Sequence, residues 1–160
     1  MKLYSRLILL LILSPLSAFG FVTVGPDPET CDYDSLFHAY FSTLEHEIRV
    51  SNEVLVINNG INFPAIDRLI KGGYANCEDA AIDILELDED DEVVRSVIDG
   101  QDQHTAMRII NHGEERRSIT LENLLIQNGN GTASEQAGGL DISGNLSISL
   151  NNIRLYGNQG

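Results

Sequence analysis

The densest chemistry in this chain is a run of carboxylates: seven of the ten residues in Asp83–Glu92 are acidic. Calcium takes about six to eight oxygen ligands, and closely spaced Asp and Glu side chains can supply them. Asp88, Asp90, Asp91 and Glu92 are the candidate ligands. The segment lacks the D-x-[DN]-x-[DN]-G order of a helix–loop–helix calcium site, and charge runs of this kind usually form solvated faces. The expectation is an exposed acidic loop, with calcium the one cofactor its chemistry would suit. The other reactive side chains are scattered. His38, His46, His104 and His112 do not show the tight spacing of a zinc site. Cys31 and Cys77 have no neighbour in sequence that would make either a thiolate nucleophile. No catalytic residue is assigned.

The elements that must hold these residues begin with a leader. Lys2 and Arg6 give a positive start, Leu7–Leu13 is an unbroken apolar run, and Ala18-Phe19-Gly20 offers small residues for cleavage. The run is shorter than the roughly 20 residues that span a bilayer, so residues 1–20 read as an export signal. No transmembrane helix is expected in the rest. Without Lys2 and Arg6 the chain keeps 8 basic against 24 acidic residues, a net charge of −16. That balance argues against nucleic acid and anionic membrane surfaces as partners. In an oxidising compartment the two cysteines are expected to be joined, Cys31 to Cys77.

Residues 21–30 carry Pro26 and Pro28 and read as an extended leader into a single unit, 31–160. Asp34-Ser35 looks like a helix cap, followed by Leu36, Tyr40 and Leu44 at helical spacing. Ser35–Leu44 is therefore read as a short helix covering one end of the fold. Short strand-like pieces follow at Glu47–Val50, Val54–Ile57, Arg68–Lys71, Ser96–Ile98, Ala106–Ile110 and Leu140–Ile142. Between them lie Asn58-Asn59-Gly60, Gly72-Gly73 and Asp99-Gly100 as turns. The clearest pattern is a repeat. SITLENLLIQNG (Ser118–Gly129) returns as SISLNNIRLYGN (Ser147–Asn158), 29 residues on and without gaps. Apolar residues alternate on either side of Asn123 and Asn152, which is strand–bend–strand grammar. Asn tolerates the left-handed backbone that a sharp bend needs, and stacked amides can bond to one another. Asn123 and Asn152 are thus expected to form a structural ladder.

The C-terminal half resembles the parallel β-helix repeats of bacterial surface proteins, and the polymorphic outer-membrane protein repeats in particular. Gly138-Gly139-Leu140 matches their GG-[AIL] motif, and Leu155-Tyr156-Gly157-Asn158 matches F-x-x-N with Leu in place of Phe. Upstream, Glu47-Ile48-Arg49-Val50, Gly72-Gly73-Tyr74-Ala75-Asn76-Cys77 and Ser96-Val97-Ile98-Asp99-Gly100 are similar to the opening of exported proteins of that kind. The resemblance implies an all-β, right-handed parallel β-helix, a solenoid with a short N-terminal capping helix. It also implies an N-terminal fragment of a longer protein, since Gly160 follows directly on a repeat.

Polysaccharide-cleaving β-helices set the enzymatic alternative. Asp90-Asp91 falls in the acidic loop, Asn111-His112-Gly113 is not a G-H-G, and no R-x-K follows. Arg108, Arg116 and Arg117 lack an Asp set at strand spacing. The expected function is a non-enzymatic exported module at the bacterial cell surface or outer membrane, or secreted. It would make adhesive or glycan contacts with a host or neighbouring cell. The alternative is the N-terminal part of a polysaccharide lyase or hydrolase whose active residues lie beyond Gly160. Asn130-Gly131-Thr132 and Asn145-Leu146-Ser147 fit the N-glycosylation pattern, which acts only in a eukaryotic secretory route.

Overall fold

The computed structural model describes residues 20–52, 55–56, 61–131 and 137–160. The leader 1–19, Val54 and Ile57 of one expected strand, the turn Asn58-Asn59-Gly60, and residues 132–136 lie outside the described residues.

The strands are β1 (Phe21–Val24), β2 (Glu47–Ser51), β3 (Leu55–Val56), β4 (Ile61–Pro64), β5 (Arg68–Tyr74), β6 (Ser96–Asp99), β7 (Met107–Asn111), β8 (Arg117–Glu122), β9 (Leu124–Gln127), β10 (Leu140–Gly144), β11 (Leu146–Asn151) and β12 (Arg154–Tyr156). The helices are α1 (Leu36–Ser42) and α2 (Cys77–Ala81). The strands form three sheets, ordered β1-β2-β5-β8-β11, β12-β9-β6-β3 and β10-β7-β4. Every strand pairing in them is parallel.

This corrects the expected architecture. In place of one all-β, right-handed parallel β-helix with a single capping helix, there are three small parallel sheets and two helices. The physical reason lies in the bends. Asn123 and Asn152 both adopt φ 53°, and Gly73 adopts φ 99° in the preceding layer. At Asn123 and Asn152 the extended backbone breaks, so β8 and β9, and β11 and β12, hydrogen-bond in different sheets, whereas Gly73 lies within β5, where the register against β2 shifts. Gly144, at φ 95°, marks another bend; a Cβ there would sit 2.1 Å from the carbonyl oxygen of Asn111. Only glycine fits that approach.

The repeat sets the register. Ile119 pairs with Ile148, Leu121 with Leu150, and Ile126 with Leu155, all in parallel. The row continues back through Ile70 and Ile48 to Val22. Alternation sends these side chains to one side, where residues of all three sheets share one buried cluster with Phe63, Ile98 and Ile109. Like residues stack on like because each layer repeats the chemistry of the layer beneath it.

The helix α1 closes one end of that cluster. Ser35 caps it, its hydroxyl accepting from the His38 N–H at 3.3 Å. Leu36, Ala39 and Tyr40 are buried. The Tyr40 ring lies 4.1 Å from that of Phe63, and its hydroxyl donates to the Pro64 carbonyl at 2.9 Å. The helix is shorter than expected: it ends at Ser42, and Leu44 is exposed instead of completing an apolar stripe. Arg68 explains the stop. It stands in the row of Ile119 and Ile148, is buried, and donates to the carbonyls of Tyr40 and Thr43 at 2.9 and 3.1 Å. Those are carbonyls a helix end leaves without partners. Burial lowers the Arg68 pKa, against the opposing effect of Tyr40 4.8 Å from its guanidinium.

Cys31 and Cys77 form a disulfide across 46 positions, with Cα atoms 5.2 Å apart. It ties the segment after β1 to the first residue of α2. β1, β4 and α2 were not expected: residues 21–24 pair with β2 instead of running on as an extended leader.

Candidate functional site

The acidic loop is carried on the long connection from β5 through α2 to β6. Its base is built from groups that satisfy one another. Asn76 caps α2, its side chain accepting from the Asp79 N–H at 2.8 Å, and Glu78 and Asp79 occupy the first turn. Carboxylates there meet the positive end of the helix. Beyond α2 the chain turns through Asp83, at φ 59°. One oxygen of Asp83 accepts from Lys71 at 2.7 Å and from the buried Tyr74 hydroxyl at 2.6 Å. Burial acts to raise the Asp83 pKa, but Lys71 and Tyr74 outweigh it and hold it below its ordinary value. Tyr74 is pushed up strongly, first by burial and then by donation to Asp83. Arg49 completes the base by donating to the Ala80 carbonyl at 2.6 Å.

The tip is a small hairpin of its own. Glu86 N–H donates to the Gly73 carbonyl, Asp88 N–H to Glu92, and Leu87 bridges Val93 in antiparallel fashion. Glu86 accepts from the Asn52 amide. One oxygen of Asp88 accepts the N–H groups of Asp90 and Glu92 at 2.9 and 3.0 Å. Asp88–Glu92 are all exposed, and Asp91 takes φ 62° to turn the tip. Asp88, Asp90, Asp91 and Glu92 are thus adjacent in the chain but fan outward around a turn. Among the described residues no group of three or more His, Cys, Asp or Glu is arranged to hold a metal ion. What the loop offers is a dense patch of negative charge on a fixed base.

The Asn pair stands elsewhere, on the bends. The Asn152 amide donates to the Asn123 side-chain oxygen at 3.0 Å, and Asn123 donates to the Gly72 carbonyl at 3.3 Å. A second row of this kind escaped sequence reasoning. The Asn128 amide reaches both oxygens of Asp99, at 3.2 and 3.1 Å, and Gln127 donates to one of them at 3.0 Å. Although burial pushes the Asp99 pKa up, the Gln101 N–H, Gln127 and Asn128 bring it below its ordinary value. The signal was there: Asn128 falls one strand beyond Asn123, where the second copy has Gly157. The four histidines lie on separate segments: His38 within α1, His46 just before β2, and His104 and His112 on either side of β7.

No family model, curated protein or solved structure matches this chain. Among the described residues no helix is long and apolar enough to cross a membrane, which does not bear on β-barrels.

Proposed function

We propose that this protein is an exported, non-catalytic surface module, with parallel sheets as its scaffold and the loop Asp83–Glu92 as its contact surface. The observation that carries the reading is the Cys31–Cys77 disulfide. Bonds of this kind persist in oxidising compartments outside the cytosol. The apolar leader of residues 7–13 and the resemblance to bacterial surface repeats point the same way, towards the outer-membrane or cell surface. Binding residues are often found on loops that a rigid scaffold positions. The loop fits that role: its base is pinned by Asp83, Lys71 and Tyr74, and its tip carries only exposed carboxylates. Its partners would be glycans or a neighbouring cell surface presenting cationic groups.

The test is a panel of acidic, neutral and amino-sugar polysaccharides, with and without calcium, scored for both binding and turnover by the full-length protein. Binding without cleavage, weakened when Asp88, Asp90 and Asp91 are changed together to Asn, supports the reading. Depolymerisation that survives repurification replaces it with the lyase or hydrolase alternative.

A further inference from the structure

We propose that the outer face of α1 is a docking surface for a partner polypeptide that presents an apolar segment flanked by Lys or Arg. It is separate from the contact surface at Asp83–Glu92. The helix is apolar on both sides. Leu36, Ala39 and Tyr40 are buried against the core. Phe37 and Phe41, one helical turn apart, and Leu44 just beyond the C-cap face away from it, and they are 51%, 49% and 101% exposed. A helix lying on a core ordinarily turns charged and polar residues outward, and a cluster of large apolar side chains there marks a contact surface.

The rings are in place before anything binds. The centroids of Phe37 and Phe41 lie 4.7 Å apart. Phe41 stands edge-on to the buried Tyr40 at 5.8 Å, with the core ring of Phe63 at 6.4 Å. Side chains already held by their neighbours lose little freedom on docking, which favours affinity. Aromatic anchors of this kind are enriched where proteins meet.

Charge selects the occupant. Residues 21–48 hold six carboxylates, Asp27, Glu29, Asp32, Asp34, Glu45 and Glu47, and no Lys or Arg. Glu47 is paired with Arg49, and Asp32 accepts from Thr23. Asp34 and Glu45 bracket the aromatic pair in the chain, Asp34 exposed and Glu45 half-buried. Arg68, the cation that meets α1, is buried beneath its last turn. Apolar side chains between carboxylates are complemented by apolar side chains between basic ones. A second copy of this chain would set carboxylates against carboxylates, and an anionic membrane would meet the same repulsion.

Two labelled peptides test this by fluorescence anisotropy on the full chain. One is a Leu/Phe run flanked by Lys at each end; the other is the same run flanked by Glu. The Lys-flanked peptide should bind, and more weakly as salt rises, while the Glu-flanked peptide should not. Phe37→Ser with Phe41→Ser should weaken binding roughly tenfold or more. Both side chains face outward, and circular dichroism confirms that the variant is folded. Asp34→Lys with Glu45→Lys should exchange the preference, losing the Lys-flanked peptide and gaining the Glu-flanked one. Changing Asp88, Asp90 and Asp91 together to Asn should leave binding unchanged, which separates this face from the acidic loop. No binding of the Lys-flanked peptide overturns the inference. So does equal binding of both peptides, a preference that survives the charge reversal, or binding that depends on the acidic loop and not on the two phenylalanines. Dimerisation of the full chain, or flotation with phosphatidylcholine vesicles, that is abolished by Phe37→Ser with Phe41→Ser gives the face to another occupant and overturns it as well.

Discussion

The first and second copies of the repeat carry nearly the same residues but live in different surroundings. Ile119, Leu121 and Ile126 are 0% exposed, while their partners Ile148, Leu150 and Leu155 are 36%, 46% and 55% exposed. Residue type is the same or nearly so; only the presence of a further layer differs. A side chain in this fold is buried by what stacks above it, not by its own hydrophobicity. At the other end the stack is closed by α1 and fastened by a disulfide. Among the described residues the stack is sealed at the α1 end, and stability should fall from there towards β11 and β12, whose side chains are exposed.

Breaking the sealed end should have the largest effect. Replacing Cys31 and Cys77 with Ser frees a loop of 46 positions, which chain entropy values at about 4 kcal/mol. Thermal melting should show that loss, and hydrogen exchange should show β1, β2 and α2 opening first. Labelling of the oxidised, denatured protein should find no free thiol. Two labelled cysteines would remove the bond and with it the sealed end.

The grading itself is tested by two equivalent truncations. Leu121→Ala leaves a cavity between filled layers and should cost about 3 kcal/mol. Leu150→Ala removes a half-exposed side chain and should cost less than about 1 kcal/mol. Equal losses would mean that both layers are equally buried in solution.

The sequence made part of this legible. The repeat could be read because alternation of Ile and Leu about an Asn is a local pattern, and local patterns survive in the chain. That Ser118–Gly129 stacks on Ser147–Asn158 follows from their likeness. Three things were hidden. The division into separate sheets depends on the angle at each bend, which Asn123 or Gly144 permits but does not announce. α2 spans five residues, too few for a helical period to show. β1 and β4 contain too few residues, or too much proline, to stand out, and they are strands because β2 and β7 offer them partners. In the acidic loop the charge was plain. That Asp88 is folded back on the N–H groups of Asp90 and Glu92 was not, since the turn depends on backbone angles.

The Asn ladder sharpens the comparison on a smaller scale. Asn123 is half-buried and bonded on both sides, to Gly72 below and Asn152 above. Asn123→Ala should cost roughly 1–3 kcal/mol, because it leaves those groups without a partner and loses a residue suited to the left-handed bend. Asn152 is exposed, so water can replace its lost bonds, and Asn152→Ala should cost less than half as much. A melting curve indifferent to Asn123→Ala would mean that the ladder contributes nothing to the fold.

The smallest expected effect is in acid, and it too should divide the molecule. Asp83 sits at the sealed end, and its folded pKa lies below the ordinary 3.8 because Lys71 and Tyr74 favour the carboxylate more than burial disfavours it. A carboxyl with a lowered pKa adds stability that is complete above its unfolded value. That contribution is lost as pH falls through the folded value. Asp83 should therefore weaken the anchoring of α2 only below pH 3.8 or so. The last layer carries a single carboxyl, Asp141, and has little of this kind to lose. Hydrogen exchange followed down a pH series should show β5 and α2 losing protection more steeply than β11, after correction for intrinsic rates. Asp83→Asn should flatten that dependence at the sealed end while lowering stability at neutral pH, where the ion pair with Lys71 is gone. If the acid slope of the Asp83→Asn protein matches that of the parent, Asp83 is not the group that titrates. The sealed end would then owe its acid response to another carboxyl, and Asp99 would be the next to change.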